Sequence, residues 1–305
     1  MKLPSPRVFT NILLATAMAA CTVGDPTQGR PNPEAPDAAV QVQPDATVTE
    51  LKWGTTTQDQ LGIAEAIHYV SETEIYAIVG EKICVWNGTT WEIHATEILG
   101  LSRAMHFVTP TEIYAVIGNK ICMWDGLAWL PMTPDIANLN VAGTAEIHFV
   151  QGLLTEKAFY AVIVNGSDNY ISQSINVEGT PGAWEQITDS VPNLRFAMDF
   201  KSPTEIYAVL GTKICKWTGI LGDELAAWAP ISPDQVGLRQ AIQVVSETEM
   251  YAIINNKVCK WDGTSWTDLT ADMADLREEF IHTSDENIYA VAGDAILQWA
   301  QFPAL

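Results

Sequence analysis

Basic residues are scarce in this sequence. Only 16 Lys and Arg stand against 37 Asp and Glu among 305 residues, a formal charge of −21. Without Lys2 and Arg7 of the first 20 residues the balance becomes 14 to 37, or −23. A surface this negative repels phosphate backbones and anionic headgroups, so general nucleic-acid binding and electrostatic docking on an anionic bilayer are disfavoured. Long apolar runs are missing as well. The apolar stretch at residues 8–20 covers about 20 Å as a helix, short of a ~30 Å hydrocarbon core. There is no phosphate loop, zinc motif, EF-hand or nucleophile–base pair, so neither a metal nor a cofactor is expected. What the chain does have is 48% hydrophobic residues and 11 Trp, enough apolar mass for a sizeable core and too much for disorder throughout.

The N-terminal region reads as an export signal and a leash. Residues 1–20 combine a basic start, a short apolar core and the small residues Ala19 and Ala20, the layout of a secretory signal. Met18-Ala19-Ala20-Cys21 resembles a bacterial lipobox, and that resemblance implies lipidation of Cys21 as the mature N-terminus. An ordinary signal peptide with an incidental cysteine is the alternative. Residues 21–49 carry Pro26, Pro31, Pro33, Pro36 and Pro44 without apolar periodicity and are expected to form a flexible tether. The expected localisation is the bacterial outer membrane or cell surface, with the membrane met only through the lipid.

The rest of the chain is one unit repeated six times. A Tyr-Ala element recurs at Tyr76, Tyr114, Tyr160, Tyr207, Tyr251 and Tyr289, at spacings of 38, 46, 47, 44 and 38. A Trp follows ten residues later at Trp86, Trp124, Trp217, Trp261 and Trp299, and a second recurs at Trp53, Trp91, Trp129, Trp184, Trp228 and Trp266. These two sets account for every Trp. Each unit reads as four short strands; in the first they are Ala66–Val70, Glu74–Val79, Lys82–Trp86 and Trp91–His94. Gly80-Glu81, Gly118-Asn119, Gly211-Thr212, Asn255-Asn256 and Gly293-Asp294 supply the positive φ of tight hairpins between second and third strands. Asn87-Gly88, Asp125-Gly126 and Asp262-Gly263 join third to fourth strands. Four strands in about 40 residues is the pattern of a propeller blade.

Closure follows from the strand count. The sixth unit ends at Trp299–Leu305 with no fourth strand, while a spare one, Leu51-Lys52-Trp53, stands before the first unit. The expectation is an all-β fold: a six-bladed β-propeller of four-stranded blades over residues 50–305, closed by the N-terminal strand completing the last blade. The third unit carries long irregular stretches, Gln151–Ala158 and Asn165–Ala183, and its Cys and Trp give way to Ser172 and Ser174. Cys84, Cys122, Cys215 and Cys259 share one blade position, too far apart across blades for the ~7 Å Cα limit of a disulfide, and are expected to be inert buried thiols.

The unit Val70–Ile78 followed by Ile83–Trp91 resembles tectonin-type and related bacterial lipoprotein propeller repeats over residues 50–302. That resemblance implies a lectin for bacterial surface glycans or lipopolysaccharide. Six-bladed sialidase enzymes carry Ser-x-Asp-x-Gly-x-x-Trp boxes, and the chain has none.

In an antiparallel blade the second-to-third turns and the blade-to-blade links share one end, the top. Lys82, Lys120, Lys213 and Lys257 follow the hairpin, and Arg103, Arg195, Arg239 and Arg277 end the links. Link acids such as Glu97, Asp135, Asp234 and Asp272 nearly balance them. The other end gathers Glu72, Glu74, Glu112, Glu205, Glu247, Glu249, Asp285 and Glu286 with few bases, so a two-faced ring is expected. The arginines either form a mouth for an anionic or polyhydroxylated ligand or pair with acids of the next blade to hold the ring. On the innermost strands His68, His106, His148, Asp199 and Gln243 share one position and are expected to line the channel, by hydrogen bonding or, less simply, around a transition metal. The expected function is a monomeric, non-enzymatic binding module using its top face on a glycan or other polar ligand. A protein-interaction platform in the cell envelope, or an enzyme at the channel mouth, are the alternatives.

Overall fold

The computed structural model describes residues 49–139, 147–151, 156–165, 168–192, 194–202, 204–219 and 227–303, within a unit spanning Thr47–Leu305. The expected signal (1–20), Cys21 and nearly all of the tether lie outside the described residues. Among the described residues all regular elements are strands. The first, β1 (Thr49–Thr55), belongs to the last blade. Blade 1 is β2 (Ile63–Ser71), β3 (Glu74–Val79), β4 (Lys82–Trp86) and β5 (Trp91–Ala95). Blade 2 is β6 (Leu101–Thr109), β7 (Glu112–Ile117), β8 (Lys120–Trp124) and β9 (Trp129–Pro131). Blade 3 is β10 (Ile147–Gln151), β11 (Glu156–Asn165), β12 (Asp168–Val177) and β13 (Thr180–Gln186), with β14 (Val191–Pro192) added beside β12. Blade 4 is β15 (Leu194–Ser202), β16 (Glu205–Leu210), β17 (Lys213–Trp217) and β18 (Trp228–Pro230). Blade 5 is β19 (Leu238–Ser246), β20 (Glu249–Ile254), β21 (Lys257–Trp261) and β22 (Trp266–Asp268). Blade 6 is β23 (Leu276–Ser284), β24 (Asn287–Ala292) and β25 (Ala295–Pro303), completed by β1. The six antiparallel sheets form a six-bladed β-propeller. β1 pairs with β25 in the expected register, Trp53 opposite Trp299.

The core is distributed over six seams. In β3, Tyr76 and Ile78 pack toward blade 2, while Ile75 and Ala77 pack toward blade 6. The second strand is thus buried on both faces, which is why it reads as a continuous apolar run rather than an alternation. Outward, five blades carry a cross-strand Trp pair, with ring centroids 5.4–5.8 Å apart. Each such pair adds about 0.5–1.5 kcal/mol beyond its burial. Cys84, Cys122, Cys215 and Cys259 are buried and unbridged. Burial pushes the Cys122 thiol up to about 11, so it stays protonated.

The hairpins follow the sequence signals. Gly80, Gly118, Gly211, Asn255 and Gly293 all have φ between 57° and 62°. The third-to-fourth connections are longer than the Asn-Gly and Asp-Gly pairs suggest. Asp262 Oδ1 accepts the amides of Thr264 and Ser265, both at 2.8 Å, and so closes a four-residue loop from inside. A buried hydroxyl after the fourth strand caps a third-strand amide in five blades, from Thr57, Thr133, Thr188, Ser232 and Thr270 at 2.9–3.0 Å.

Blade 3 departs from expectation. The stretch expected to be irregular is mostly strand: β12 covers Asp168–Val177 and β13 covers Thr180–Gln186. Register places Ser172 opposite Ala161 and Ser174 opposite Phe159, the places held by Cys84 and Trp86 in blade 1. With those markers gone the strand no longer looks like its relatives, although Tyr170 and Ile171 still supply its apolar content. The β11–β12 hairpin also runs two residue pairs past its counterpart, to Asn165 opposite Asp168.

Candidate functional site

The top face is built from the second-to-third hairpins and the links between blades, as the connectivity requires. Three lysines there meet the link acid of their own blade: Lys82–Glu97 at 3.1 Å, Lys120–Asp135 at 3.3 Å and Lys213–Asp234 at 3.3 Å. The acids are exposed and the lysines half-buried, so each pair contributes little, on the order of 0–1 kcal/mol.

Blade 5 breaks this pattern. Its fourth strand has Asp268 opposite Cys259, where blades 1, 2 and 4 have Ile93, Pro131 and Pro230 opposite their cysteines. Lys257 turns to Asp268 at 2.6 Å. Asp272, in the place of the other link acids, makes no ion pair among the described residues. The Lys257 hydrogen bond holds the Asp268 carboxyl below the usual range, and the Lys257 amine is raised in turn. Burial, helped by the bond to Asp268, pushes the Cys259 thiol up to about 12. These residues lie at a cleft of about 430 Å³ walled by Trp266, Asp268, Asp272, Lys257, Asn255 and Gln235. It combines an aromatic ring, two carboxylates, one ammonium and two amides. Sequence reasoning offered only Lys257 as a ligand contact here, with Asp272 named as a balancing link acid. The missed signal was Asp268, which stands out once the fourth strands are aligned repeat against repeat.

The arginines lie on the innermost strands, in a bulge that recurs in five blades between the first residue and the fifth. Arg239 donates to Leu276 O of blade 6 at 3.3 Å and to Asn256 Oδ1 of its own hairpin at 2.9 Å. Arg277 donates to Ile63 O of blade 1 at 2.7 Å and meets Asp294 at 3.6 Å. Both acceptor carbonyls belong to the first residue of the next inner strand, so these guanidinium groups staple one blade to the next. Between blades 3 and 4 the same carbonyl, Leu194 O, takes the Asn169 amide at 2.7 Å. The side chains of Arg103 and Arg195 lie outside the described residues.

The inner-strand residues expected to line the channel keep one register, each opposite a blade tyrosine, as His68 is opposite Tyr76 and Gln243 opposite Tyr251. Asp199 meets Lys201 of its own strand at 2.9 Å, and the other contacts run to the next blade. Asp199 Oδ2 accepts Val244 N at 2.5 Å. Gln243 exchanges bonds with the His282 backbone, accepting N–H at 3.2 Å and donating to C=O at 3.4 Å. His68 stacks on Phe107 at 4.3 Å, and burial lowers its pKa, so it is neutral at pH 7. His106 is half-buried, and the His148 side chain is outside the described residues. Among the described residues no cluster of three or more His, Cys, Asp or Glu is placed to hold a metal ion.

The opposite face carries a polar girdle with more positive charge than the sequence suggested. Tyrosine hydroxyls donate to the glutamate two residues earlier, as in Tyr207–Glu205 at 2.6 Å and Tyr251–Glu249 at 2.7 Å. Lys216 bridges Glu205 at 3.1 Å and Glu247 of blade 5 at 2.6 Å, and Lys260 bridges Glu249 at 3.3 Å and Asp285 of blade 6 at 2.9 Å. Lys157 reaches back to Glu112 at 2.8 Å. The Tyr207 hydroxyl and then Lys216 hold Glu205 below its ordinary value; Tyr251 and then Lys260 do so for Glu249. Lysines thus neutralise acids of their own and of neighbouring blades.

No family model matches the chain, and no curated protein matches it. Its fold is similar to that of a gluconolactonase from Xanthomonas campestris, at 10% identity over 83% of this chain and 90% of that one, TM-score 0.58. It is also similar to an auxiliary nutrient binding protein from Bacteroides thetaiotaomicron, at 8% identity over 83% and 77%, TM-score 0.57. A fungal six-bladed propeller, the fucose-recognising Aleuria aurantia lectin, aligns at 14% identity over 80% and 93%, TM-score 0.46. At these identities the likeness to the first two is one of fold; the six-bladed propeller is met, and the tectonin-type family is not shown.

Proposed function

We propose that this chain is an exported, lipid-anchored binding module whose top face takes a polar, polyhydroxylated ligand such as a surface glycan. The observation that carries the reading is the blade-5 cleft. A saccharide hydroxyl can donate to a carboxylate and accept from an ammonium or amide, and its apolar face can lie on an indole. The cleft presents all of these together, and Asp268, where blade 5 departs from its repeat, lines it. The acidic surface leaves a small neutral or mixed-charge ligand as the suitable class. Solved propellers of similar fold include a nutrient-binding protein, which supports a binding role. Screening the full chain on a glycan array tests the reading. The expected result is a defined glycan whose affinity falls about tenfold in Asp272→Asn, equivalent to ~1.4 kcal/mol. No glycan bound, together with a stoichiometric protein partner, would overturn it. Fatty-acid labelling lost in Cys21→Ser tests the anchor.

A second reading, a protein-interaction platform, rests on apolar tips. Leu61, Leu99 and Val236 are 84%, 84% and 81% exposed, each immediately before a positive-φ glycine in a link. They stand at equivalent points of the top face. Changing all three to Ser would abolish capture of a partner while leaving glycan binding intact.

A further inference from the structure

Blades 1, 2 and 4 each place one ammonium beside one carboxylate on the top face. The acid comes from the link, and its place is fixed by the amide that follows it, which donates to a carbonyl of the hairpin. Ile98 N meets Glu81 O at 3.0 Å, Ile136 N meets Asn119 O at 2.9 Å and Gln235 N meets Thr212 O at 2.8 Å. After Asp272, Met273 N meets Asn256 O at 3.0 Å in the same way. Asp272 therefore stands where Glu97, Asp135 and Asp234 stand. Those three hold a lysine Nζ at 3.1–3.3 Å.

In blade 5 the lysine of that position is bound elsewhere. Lys257 lies on Asp268 at 2.6 Å, closer than in any of the three pairs. Blades 1, 2 and 4 have no acid there, but Ile93, Pro131 and Pro230. Asp268 raises the Lys257 amine most and Asp272 adds to it, so both carboxylates act on one ammonium. The place that is neutral in the other three blades thus keeps one negative charge in excess. It borders the cleft of about 430 Å³, beside the half-buried Trp266.

A ligand that completes this place brings its own ammonium. We infer, on the glycan reading above, that the blade-5 cleft binds an amino sugar with a free, protonated amine, of the glucosamine type. Its ammonium meets Asp272 as Lys82, Lys120 and Lys213 meet their link acids, and its pyranose ring lies beside Trp266. An ammonium–carboxylate hydrogen bond is charge-assisted and about twice as strong as a neutral one. A plain hexose offers Asp272 only hydroxyl donors, and an N-acetylated sugar only an amide. Lys257 directs one N–H at Asp268, and its other two can meet sugar hydroxyls.

Three methyl glycosides that differ only at C2 test this by ligand-observed NMR on the full chain: methyl β-glucosaminide, its N-acetylated form and methyl β-glucoside. The glucosaminide is expected to bind about fivefold tighter than either of the others, with a margin that shrinks at high salt. Asp272→Asn should lower it to the affinity of the glucoside. Asp268→Ile, which installs the blade-1 residue, should return Lys257 to Asp272 and remove the preference while the folded circular dichroism is kept. Equal binding of the three glycosides, a preference that survives either substitution, or a neutral glycan bound on the array with no glucosaminide bound would each overturn the amino-sugar assignment and leave the glycan-binding module standing. No glycan bound at all would overturn both.

Discussion

In blade 3 the departures from the repeat fall on packing positions: Ser172 stands for the cysteine, Ser174 for the tryptophan, and the middle hairpin is longer at its tip. In blade 5 the packing positions Tyr251, Cys259, Trp261 and Trp266 are intact, and the departure is Asp268. The consequences differ in kind. Blade 3 replaces lost packing with polar bonds: Ser174 Oγ donates to Gly182 O at 2.8 Å, and buried Asn176 donates to Met132 O of blade 2 at 3.0 Å. Blade 5 replaces nothing. A cavity borders it at each end, one lined by Asp268 and one by Glu247 and Thr248. Blade 3 changes its core and rebuilds it with polar bonds, whereas blade 5 keeps its core and changes the lining of its upper cleft.

The largest test sets one tryptophan against another. Trp217 is fully buried and faces Trp228 at 5.7 Å, so Trp217→Ala should cost about 3–5 kcal/mol in denaturant unfolding. Trp184, half-buried and faced by Ser174, should lose distinctly less on the same change. Equal losses would mean that blade 3 packs like its neighbours after all.

The inter-blade staples come next. Arg277→Ala removes a charged donor from Ile63 O and should cost about 1.5–3 kcal/mol, whereas Asn169→Ala removes a neutral donor from Leu194 O and should cost about 0.5–1.5 kcal/mol. Thermal unfolding of the two variants in parallel decides the order, and a reversed order would refute the equivalence of these contacts.

Acid should loosen the girdle more than the top. Glu205 and Glu249 titrate below their ordinary value in the folded chain, so their contribution is complete above the unfolded pKa of about 4.3 and fades as pH falls through the lower folded values. Tm measured from pH 6 to pH 3 should fall, and a Lys216→Met, Lys260→Met double variant should show a shallower fall. An unchanged slope would remove the lysines from the account.

The smallest effect belongs to the exposed pairs. Lys120→Ala should change stability by no more than about 0.5 kcal/mol and leave ligand binding untouched. Lys257→Ala should match it in stability yet weaken binding in the cleft, which separates the ordinary blade from the exceptional one.

The architecture was legible because the markers of this fold are packing residues with fixed registers. Tyr76 and its five counterparts, the Trp pairs and the hairpin glycines give strand number, blade number and closure before any coordinates. The site was less legible, because direction decides it. Arg239 and Arg277 lie on the top strands as read, but a bulge aims them at a neighbouring carbonyl. Asp199 and Gln243 share a position with the histidines, and their bonds cross the seam to the next blade. Neither fact is written in spacing alone. The girdle lysines Lys216 and Lys260 went unread because their partners lie on the following blade, about 30 residues away in sequence. Asp268 was legible in principle, as a single mismatch in an alignment of the fourth strands, and became meaningful only with a cleft beside it.

The pairing of β1 with β25 has one more consequence. A stacked solenoid ends in two exposed repeats and needs caps to cover them. Here Thr49 lies opposite Pro303, so the beginning and end of the ring are strand partners within one sheet. Every blade then has two neighbours, and the point at which the chain is cut is a matter of genetics rather than of packing. Joining residue 303 to residue 49 by a short linker and opening the chain at the Asp125–Ala128 loop would give a circular permutant with the same six seams, in which blade 2 becomes the blade shared by the two ends.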